Sequence, residues 1–290
     1  MTNYILKKSS LVMATMAIAG GLFTSCLPDE VNSGNGLTDS NVDAAFTITA
    51  VDGNANRFVL SSDAKDIIKN RWNIGSGFYD GKNPEEIFLP DAGTYTISHV
   101  AIGRGGAFSS TDQQVEVATS DPEAGNLVLG GKFENAEDDS KWTVLNISAA
   151  NASWTFNDGN ATVNVANQGH IGIYQPIQVE ANKEYTVDMK VSGSGATNLW
   201  FEVYVSPTAP VQNQDYSAGG KLISLNTWDG CGNTSFDGKL STISCSGPGN
   251  TVSFDQSGTV YLVIKCGGES SGSTGIAVTN VEFRGKPSSN

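Results

Sequence analysis

The sequence is poor in basic residues, and its N-terminal apolar run is short. Its 290 residues include 17 Lys and Arg against 30 Asp and Glu, which gives a formal net charge of −13. Nucleic-acid phosphates require a basic surface, so this balance argues against nucleic acid as a partner. The apolar run Leu11–Phe23 is interrupted by glycine and is too short for a good membrane-spanning helix.

Residue patterns typical of glycosidases and zinc sites are also missing. A glycosidase needs two carboxylates flanking the scissile bond, but Glu202 has no acidic partner on its predicted strand, and the acidic cluster at 134–139 lies in a turn-like segment. Cys231, Cys245 and Cys266 lack the close pairs that zinc sites use. We therefore expect a protein that is not an enzyme and requires no cofactor.

The sequence does contain many short alternating segments separated by turn residues. Leucine is scarce, whereas Gly (33 residues), Ser, Thr and Asn are abundant, which favours an all-β fold. The clearest alternation, Leu199–Val205, places Trp200, Glu202 and Tyr204 on the face opposite the aliphatic residues. Aromatic rings stack on sugar C–H faces and carboxylates accept hydrogen bonds from hydroxyls, so we predict a sugar-binding face. The alternative is that the rings cover a sheet edge or meet another domain.

The N-terminus has the features of an export signal. Lys7 and Lys8 precede the apolar run, and Phe23-Thr24-Ser25-Cys26 follows the small-residue pattern of a cleavage site. This segment resembles a bacterial lipobox, which implies a signal peptide at 1–25 and lipid attachment to Cys26; an ordinary signal peptide is the alternative. The acidic residues after Cys26 resemble the signal that exports Bacteroidetes lipoproteins to the outer face of the outer membrane. Residues 26–42 then predict a flexible tether, so the chain would meet the membrane through its lipid alone.

Residues 43–118 predict a first β-domain. Asn70–Gly77 contains a tryptophan strand running into a Gly-rich turn, and Pro90–Ile97 contains a Pro-x-x-Gly-x-Tyr segment. The pair resembles the polycystic-kidney-disease (PKD) family of immunoglobulin-like β-sandwiches, although Asn73 and Ser76 stand where that family usually has aspartate. The resemblance implies a spacer domain without a ligand site.

A linker at 119–125 separates this domain from a second one at 126–286. The opening Asn126–Asn135, which continues to Trp142, resembles the start of family 4 and family 9 carbohydrate-binding modules. The resemblance implies a jelly-roll β-sandwich with a sugar cleft. It also implies a structural calcium site, for which Glu134 matches the early acidic ligand and Asn280 replaces the late aspartate.

Further candidate ligand-binding residues follow from alternation and loop composition. His170 and Tyr174 fall on the face opposite the inward isoleucines, and imidazole and phenol both suit hydroxyl recognition. Trp228 lies in a polar, Gly-rich loop, where we expect sugar stacking or, alternatively, a ring that covers the end of the sandwich. Trp154 shares a strand face with Phe156 and is either a ligand contact or a core residue.

Three cysteines remain besides the acylated one, and any two of them could pair. An exported protein is expected to form a disulfide. We favour Cys231–Cys245, because both lie in one irregular insert and their bond would fix the Trp228 loop. Cys266 would then be free.

Together these patterns predict a non-catalytic surface glycan-binding lipoprotein. The combination of lipobox, spacer and carbohydrate-module-like domain resembles the accessory proteins of Sus-like uptake systems, which implies a SusC/SusD-like importer as partner and a polysaccharide as ligand. A β-glucan such as laminarin is the expected ligand class. An adhesion lipoprotein that binds protein partners is the alternative, and a glycoside hydrolase or lyase is less favoured.

Overall fold

The computed structural model describes residues 42–106 and 108–286. The predicted signal peptide, the lipidation site Cys26 and residues 26–41 of the tether lie outside the described residues. The described chain divides into two compact units: 42–51, 58–87 and 94–115 form the first, and 52–57, 88–93 and 116–286 form the second. Within the described ranges, no helix is both long and apolar enough to span a membrane.

The described chain consists of strands with a few single-turn helices, which confirms the predicted all-β class. The strands of the first part are β1 (Thr47–Val51), β2 (Asn54–Ser61), β3 (Ile67–Asn73), β4 (Tyr79–Gly81), β5 (Glu85–Phe88), β6 (Gly93–Gly103) and β7 (Phe108–Val117). Those of the second part are β8 (Thr143–Ser148), β9 (Ala152–Asn157), β10 (Asn160–Val179), β11 (Glu184–Gly193), β12 (Thr197–Ser206), β13 (Lys221–Asn226), β14 (Phe236–Lys239), β15 (Thr251–Ser253), β16 (Gly258–Ser270) and β17 (Ile276–Gly285). The helical turns are α1 (Ala136–Asp139), α2 (Leu240–Ile243) and the 3₁₀ turns η1 (Arg104–Gly106), η2 (Ala149–Asn151) and η3 (Thr227–Asp229).

The first seven strands form two sheets, ordered β1-β2-β5 and β4-β3-β6-β7. Alternation along β6 buries Ile97, His99 and Ala101 on one side. The fully buried Trp72 stacks on His99 with 4.0 Å between ring centroids, and Phe46 meets the indole edge-on at 5.2 Å. His99 is therefore a core residue, satisfied by hydrogen bonds to Ala44 O and Asn70 Oδ1 at 2.9 Å each.

The second unit is a sandwich of two antiparallel sheets that share one long strand. We call β8-β10-β16-β12-β13 the front sheet and β9-β10-β17-β11, with β14 and β15 on β11, the back sheet. The first part of β10 pairs with β9 and β17, and its second part pairs with β8 and β16. The change occurs at a bulge where Asn167 (φ 47°) and Gln168 (φ 64°) adopt left-handed conformations.

The core of this unit lies between the two sheets. Alternation on β12 sends Leu199, Phe201 and Val203 inward, where each is at most 1% exposed. Val187 and Met189 of the back sheet are buried in the same apolar cluster. Burying each such side chain stabilises the fold by about 1.5–3 kcal/mol. The residues on the opposite side of β12 form the outer face of the front sheet.

Candidate functional site

The strand register brings five of the predicted site residues onto the outer face of the front sheet. Trp200 lies opposite Gly267, which in turn lies opposite His170. Glu202 lies opposite Lys265, one row further along. In the third row, Val263 separates the two predicted tyrosines, Tyr204 and Tyr174.

The indole of Trp200 lies against the backbone of Gly267. A Cβ at residue 267 would come within 2.4 Å of Trp200 Cζ2, so only glycine leaves room for the ring in this position. The His170 ring meets the indole edge-on, with 4.5 Å between centroids. Trp200 is partly exposed. Its side chain is therefore accessible to solvent while Gly267 and His170 hold the indole in place.

A buried lysine lies beneath this face. The Lys265 side chain is 3% exposed, and its Nζ lies 4.9 Å from the Trp200 ring centroid and 4.8 Å from the Tyr204 centroid. Its charge is paired with Asp215 Oδ1 at 2.7 Å and Glu202 Oε2 at 3.7 Å. Lysine is rarely buried unless it is paired. Alternation in the sequence predicts that residue 265 points outward, but it does not predict that Lys265 is buried or paired with Asp215.

Residues 207–220, which we call the covering loop, fold over part of the outer face. Tyr216 of this loop meets Tyr204 edge-on at 6.0 Å, and the two rings form a small apolar cluster with Leu145 and Val263. Asp215 of the same loop pairs with Lys265. The composition of the loop is polar, which is why sequence patterning alone does not predict that it packs on the sheet.

The covering loop is also attached to the edge of the front sheet. The Gln212 side chain accepts a hydrogen bond from Asn146 N at 2.9 Å and donates one to Val144 O at 2.8 Å. Asn213 N donates to Asn146 O at 2.7 Å. The loop thereby satisfies backbone groups of the edge strand β8, which would otherwise remain available to another chain.

The covering loop corrects the predicted role of Tyr204. Tyr204 is 6% exposed, and its hydroxyl donates to Glu202 Oε2 at 2.7 Å. Burial, together with this hydrogen bond, raises the pKa of Tyr204. The ring is therefore a packing residue under Tyr216 and does not offer a face to a sugar. Glu202 Oε1 faces Lys221 Nζ at 3.8 Å, so both Glu202 oxygens face protein groups.

His170 lies at the boundary between the covered and the open parts of the face. Its side chain is largely buried, and its Nε2 lies 3.3 Å from Asp215 Oδ1 without forming a hydrogen bond within the described structure. Burial, opposed by the Asp215 carboxylate and aided by the Lys265 cation, lowers the pKa of His170 to about 4. Burial alone would raise the pKa of Asp215, but the hydrogen bond and charge of Lys265 hold it below its usual value. His170 is therefore neutral at pH 7.

Trp228 is the most exposed tryptophan of the described chain, with 61% of its surface accessible. It lies in η3, where the N-cap residue Asn226 accepts a hydrogen bond through Oδ1 from Trp228 N at 3.1 Å. The Thr227 hydroxyl accepts from Leu199 N at 2.9 Å, which ties the turn to β12. The disulfide Cys231–Cys245 follows directly, while Cys266 is free and fully buried, and burial raises its pKa. These contacts restrain the loop that carries the exposed Trp228 ring.

The remaining predicted residues differ in exposure. Trp154 is only 9% exposed and packs in the core between the sheets, so it is wrong as a ligand contact. Alternation showed that it shares a face with Phe156, but that face is the inner one. Tyr174 is partly exposed and pairs with Tyr261 at 6.2 Å between ring centroids. It remains a candidate.

The predicted calcium ligands are both exposed. Glu134 Oε1 lies 3.8 Å from Lys132 Nζ, and Asn280 contributes a neutral amide. Calcium prefers several oxygen ligands, usually with more than one carboxylate. No group of three or more His, Cys, Asp and Glu residues in 42–106 or 108–286 is placed to hold a metal. Calcium thus stays a prediction from the resemblance.

Comparisons with known proteins add little to this description. No family model matches the chain, and no curated protein matches it. Solved structures with some likeness include a carbohydrate-binding module of the β-sandwich superfamily, which is 15% identical over 85% of this chain and 99% of its own, with a TM-score of 0.32.

Two other solved structures are similar at the same level. A family 4 carbohydrate-binding module is 16% identical over 55% of this chain and 99% of its own, with a TM-score of 0.35. The enzymatically active domain of tailspike protein 4 from bacteriophage CBA120 is 17% identical over 59% of this chain and 23% of its own, with a TM-score of 0.34. Two of the three are carbohydrate-binding modules, but TM-scores this low carry no argument about function.

Proposed function

We propose that this protein is a non-catalytic glycan-binding protein whose ligand stacks on Trp228 and on the open part of Trp200. The observation that carries the proposal is the exposed Trp228 ring, held by an N-cap, a side-chain tie to β12 and a disulfide. A flat ring held in a fixed position suits stacking on the C–H face of a pyranose. A braced ring also loses little conformational entropy on binding.

The surrounding charges favour a neutral polysaccharide. Asp215 is 58% exposed beside the Trp200 site, and the chain carries a net charge of −13. Carboxylates accept hydrogen bonds from sugar hydroxyls and repel uronates and sulfates. A β-glucan such as laminarin fits this chemistry, and we propose it as the first ligand to test.

The cellular setting is part of the same proposal. Lipid attachment at Cys26 would hold the protein on the outer membrane facing the exterior, with the first domain as spacer. Captured glycan would pass to a SusC/SusD-like importer. The support for this setting is the sequence of residues 1–42 and the order of the two domains.

Native gel electrophoresis in gels containing laminarin, xylan, galactomannan or galactan tests the proposal. We expect retardation of the wild-type chain in at least one gel and its loss in the Trp228→Ala variant. Phe108→Ala is the matched control, because Phe108 is a 73% exposed aromatic residue of the first unit. Retardation in none of these gels would contradict the proposal and favour an adhesion role, while release of reducing ends would indicate an enzyme.

A further inference from the structure

A groove of about 440 Å³ lies where β10 leaves the back sheet for the front sheet. Its walls come from η2 and the start of β9, from β10 just before the bulge, and from the end of β16. The polar side chains that line it are Asn151, Ser153, Asn164, Ser270 and Ser271. None of these residues belongs to the Trp200 and Trp228 site.

The lining is neutral and contains no aromatic ring. It offers hydroxyl and amide groups, which donate and accept hydrogen bonds without carrying charge. Ser153 and Asn164 lie directly opposite each other on β9 and β10, and both are exposed. Within the described residues, neither side chain makes a hydrogen bond to the protein. Ser271 is instead buried, and its hydroxyl accepts a hydrogen bond from Val165 N at 3.0 Å. This hydrogen bond links the chain after β16 to β10.

The bulge in β10 creates the groove. Asn167 and Gln168 carry the strand away from β9 after the Val165–Ala152 pair. Gly169 then packs so closely on η2 that a Cβ would come within 2.7 Å of Asn151 O. Left-handed conformations at two consecutive non-glycine residues are costly, and bulges of this kind are common beside binding sites.

The groove and the Trp228 loop lie at the same end of the front sheet. Ser270 is opposite Thr197, near the start of β12, and opposite Ala166 of β10, while Thr227 is bonded to Leu199. Adjacent strands are about 4.8 Å apart, so roughly 14 Å of the front sheet separates the β13 end from β10. This distance is on the scale of a few sugar units. Ser153 and Asn164 project outward from the back sheet beside this end, because their strand neighbours Trp154 and Val165 are buried between the sheets.

We propose that this groove is a second glycan contact, which binds the hydroxyls of a neutral sugar unit by hydrogen bonds and without stacking. The proposal rests on the proposed function, because it takes the ligand to be the chain that Trp228 binds. The ligand of the groove would be a neutral, polyhydroxylated segment of that chain. Ser153 and Asn164 would form the hydrogen bonds to it.

Affinity electrophoresis and isothermal titration with the polysaccharide that retards the wild-type chain most strongly provide the test. Ser153→Tyr fills the groove, and Thr155→Tyr is its matched control, because Thr155 is the next outward and exposed residue of β9. We expect Ser153→Tyr to weaken binding about 5- to 10-fold, equivalent to one neutral hydrogen bond or slightly more, and Thr155→Tyr to leave it unchanged. Asn164→Ala, which adds no volume, should weaken binding about threefold.

The outcomes separate this proposal from the proposed function. Normal binding by both Ser153→Tyr and Asn164→Ala, with binding lost in Trp228→Ala, would overturn the groove and leave the proposed function standing. Equal losses in Ser153→Tyr and Thr155→Tyr, with normal binding by Asn164→Ala, would also overturn the groove. A wild-type chain that binds no neutral glycan would overturn both proposals.

Discussion

Lys265 Nζ, buried in the front sheet, lies 2.7 Å from Asp215 Oδ1 of the covering loop. This ion pair joins the loop to the sheet across the outer face. Glu202 alone, at 3.7 Å, would not replace the hydrogen bond that Asp215 accepts. The pair therefore holds the covering loop on the sheet together with the Tyr216 packing and the Gln212 and Asn213 hydrogen bonds.

Removal of Asp215 should be costly, because it leaves a buried cation poorly paired. We expect Asp215→Ala to lower the free energy of unfolding by about 2 kcal/mol. Adding Lys265→Met should restore more than half of that loss, since the charge then disappears as well. Urea unfolding of the two single variants and the double variant measures the coupling, and strictly additive effects would show that the pair does not hold the loop.

Gly267 should be required because of the Trp200 ring. Gly267→Ala places a Cβ where Trp200 Cζ2 lies, so the indole must turn, at a cost of about 1–3 kcal/mol. We expect a lower midpoint of unfolding and a changed near-UV circular dichroism spectrum. In a Trp200→Ala background the same substitution should cost little, and an equal cost in both backgrounds would mean that Trp200 is not the obstacle.

Stability should fall in mild acid through His170. Its pKa is lowered to about 4 in the folded state from 6.5, so the unfolded chain takes up a proton first as pH falls. Below pH 6.5 this favours unfolding, and the effect levels off below about pH 4 at a cost of about 3 kcal/mol. His170→Gln should remove this component. Burial also lowers the pKa of His99, and this contribution is the same in both chains. The free energy of unfolding is therefore measured against pH for the wild-type and His170→Gln chains, and parallel curves would contradict the prediction.

The Cys231–Cys245 bond should matter for both stability and binding. It closes a segment with a sequence separation of 14, and a loop of about that length is worth about 3 kcal/mol in the chain-entropy description. We expect the Cys231→Ser/Cys245→Ser variant to unfold at a lower denaturant concentration. We also expect it to bind glycan several-fold more weakly, because the disulfide no longer restrains the loop that contains η3 and Trp228. A weaker fold with unchanged affinity would mean that the bond does not position Trp228.

The fold was largely predictable because alternation is a local property. Leu199–Val205 separates inward and outward residues in the structure as its sequence indicates, and Tyr185, Val187 and Met189 are buried on one face of β11. Alternation groups the residues of a strand by face, but it does not say whether an aromatic face packs in the core or contacts a ligand. Trp154 and Phe156 share such a face, and Trp154 packs inside the sandwich.

The site was only partly predictable because it depends on chain segments that are distant in sequence. The Trp200, His170 and Tyr174 positions follow from strand pairing, and the Trp228 loop follows from composition. The covering loop gives no periodic signal, so the burial of Tyr204 under Tyr216 could not be read from the sequence. The pairing of Asp215 with Lys265 was hidden for the same reason.

The central claim is that the exposed Trp228 ring binds a neutral glycan. Isothermal titration of the wild-type and Trp228→Ala chains with the most strongly retarding polysaccharide, together with thermal unfolding of both, tests it most directly. The account predicts at least a tenfold weaker Kd, equivalent to about 1.4 kcal/mol, with an unchanged midpoint of unfolding. Equal affinity for the two chains would contradict it.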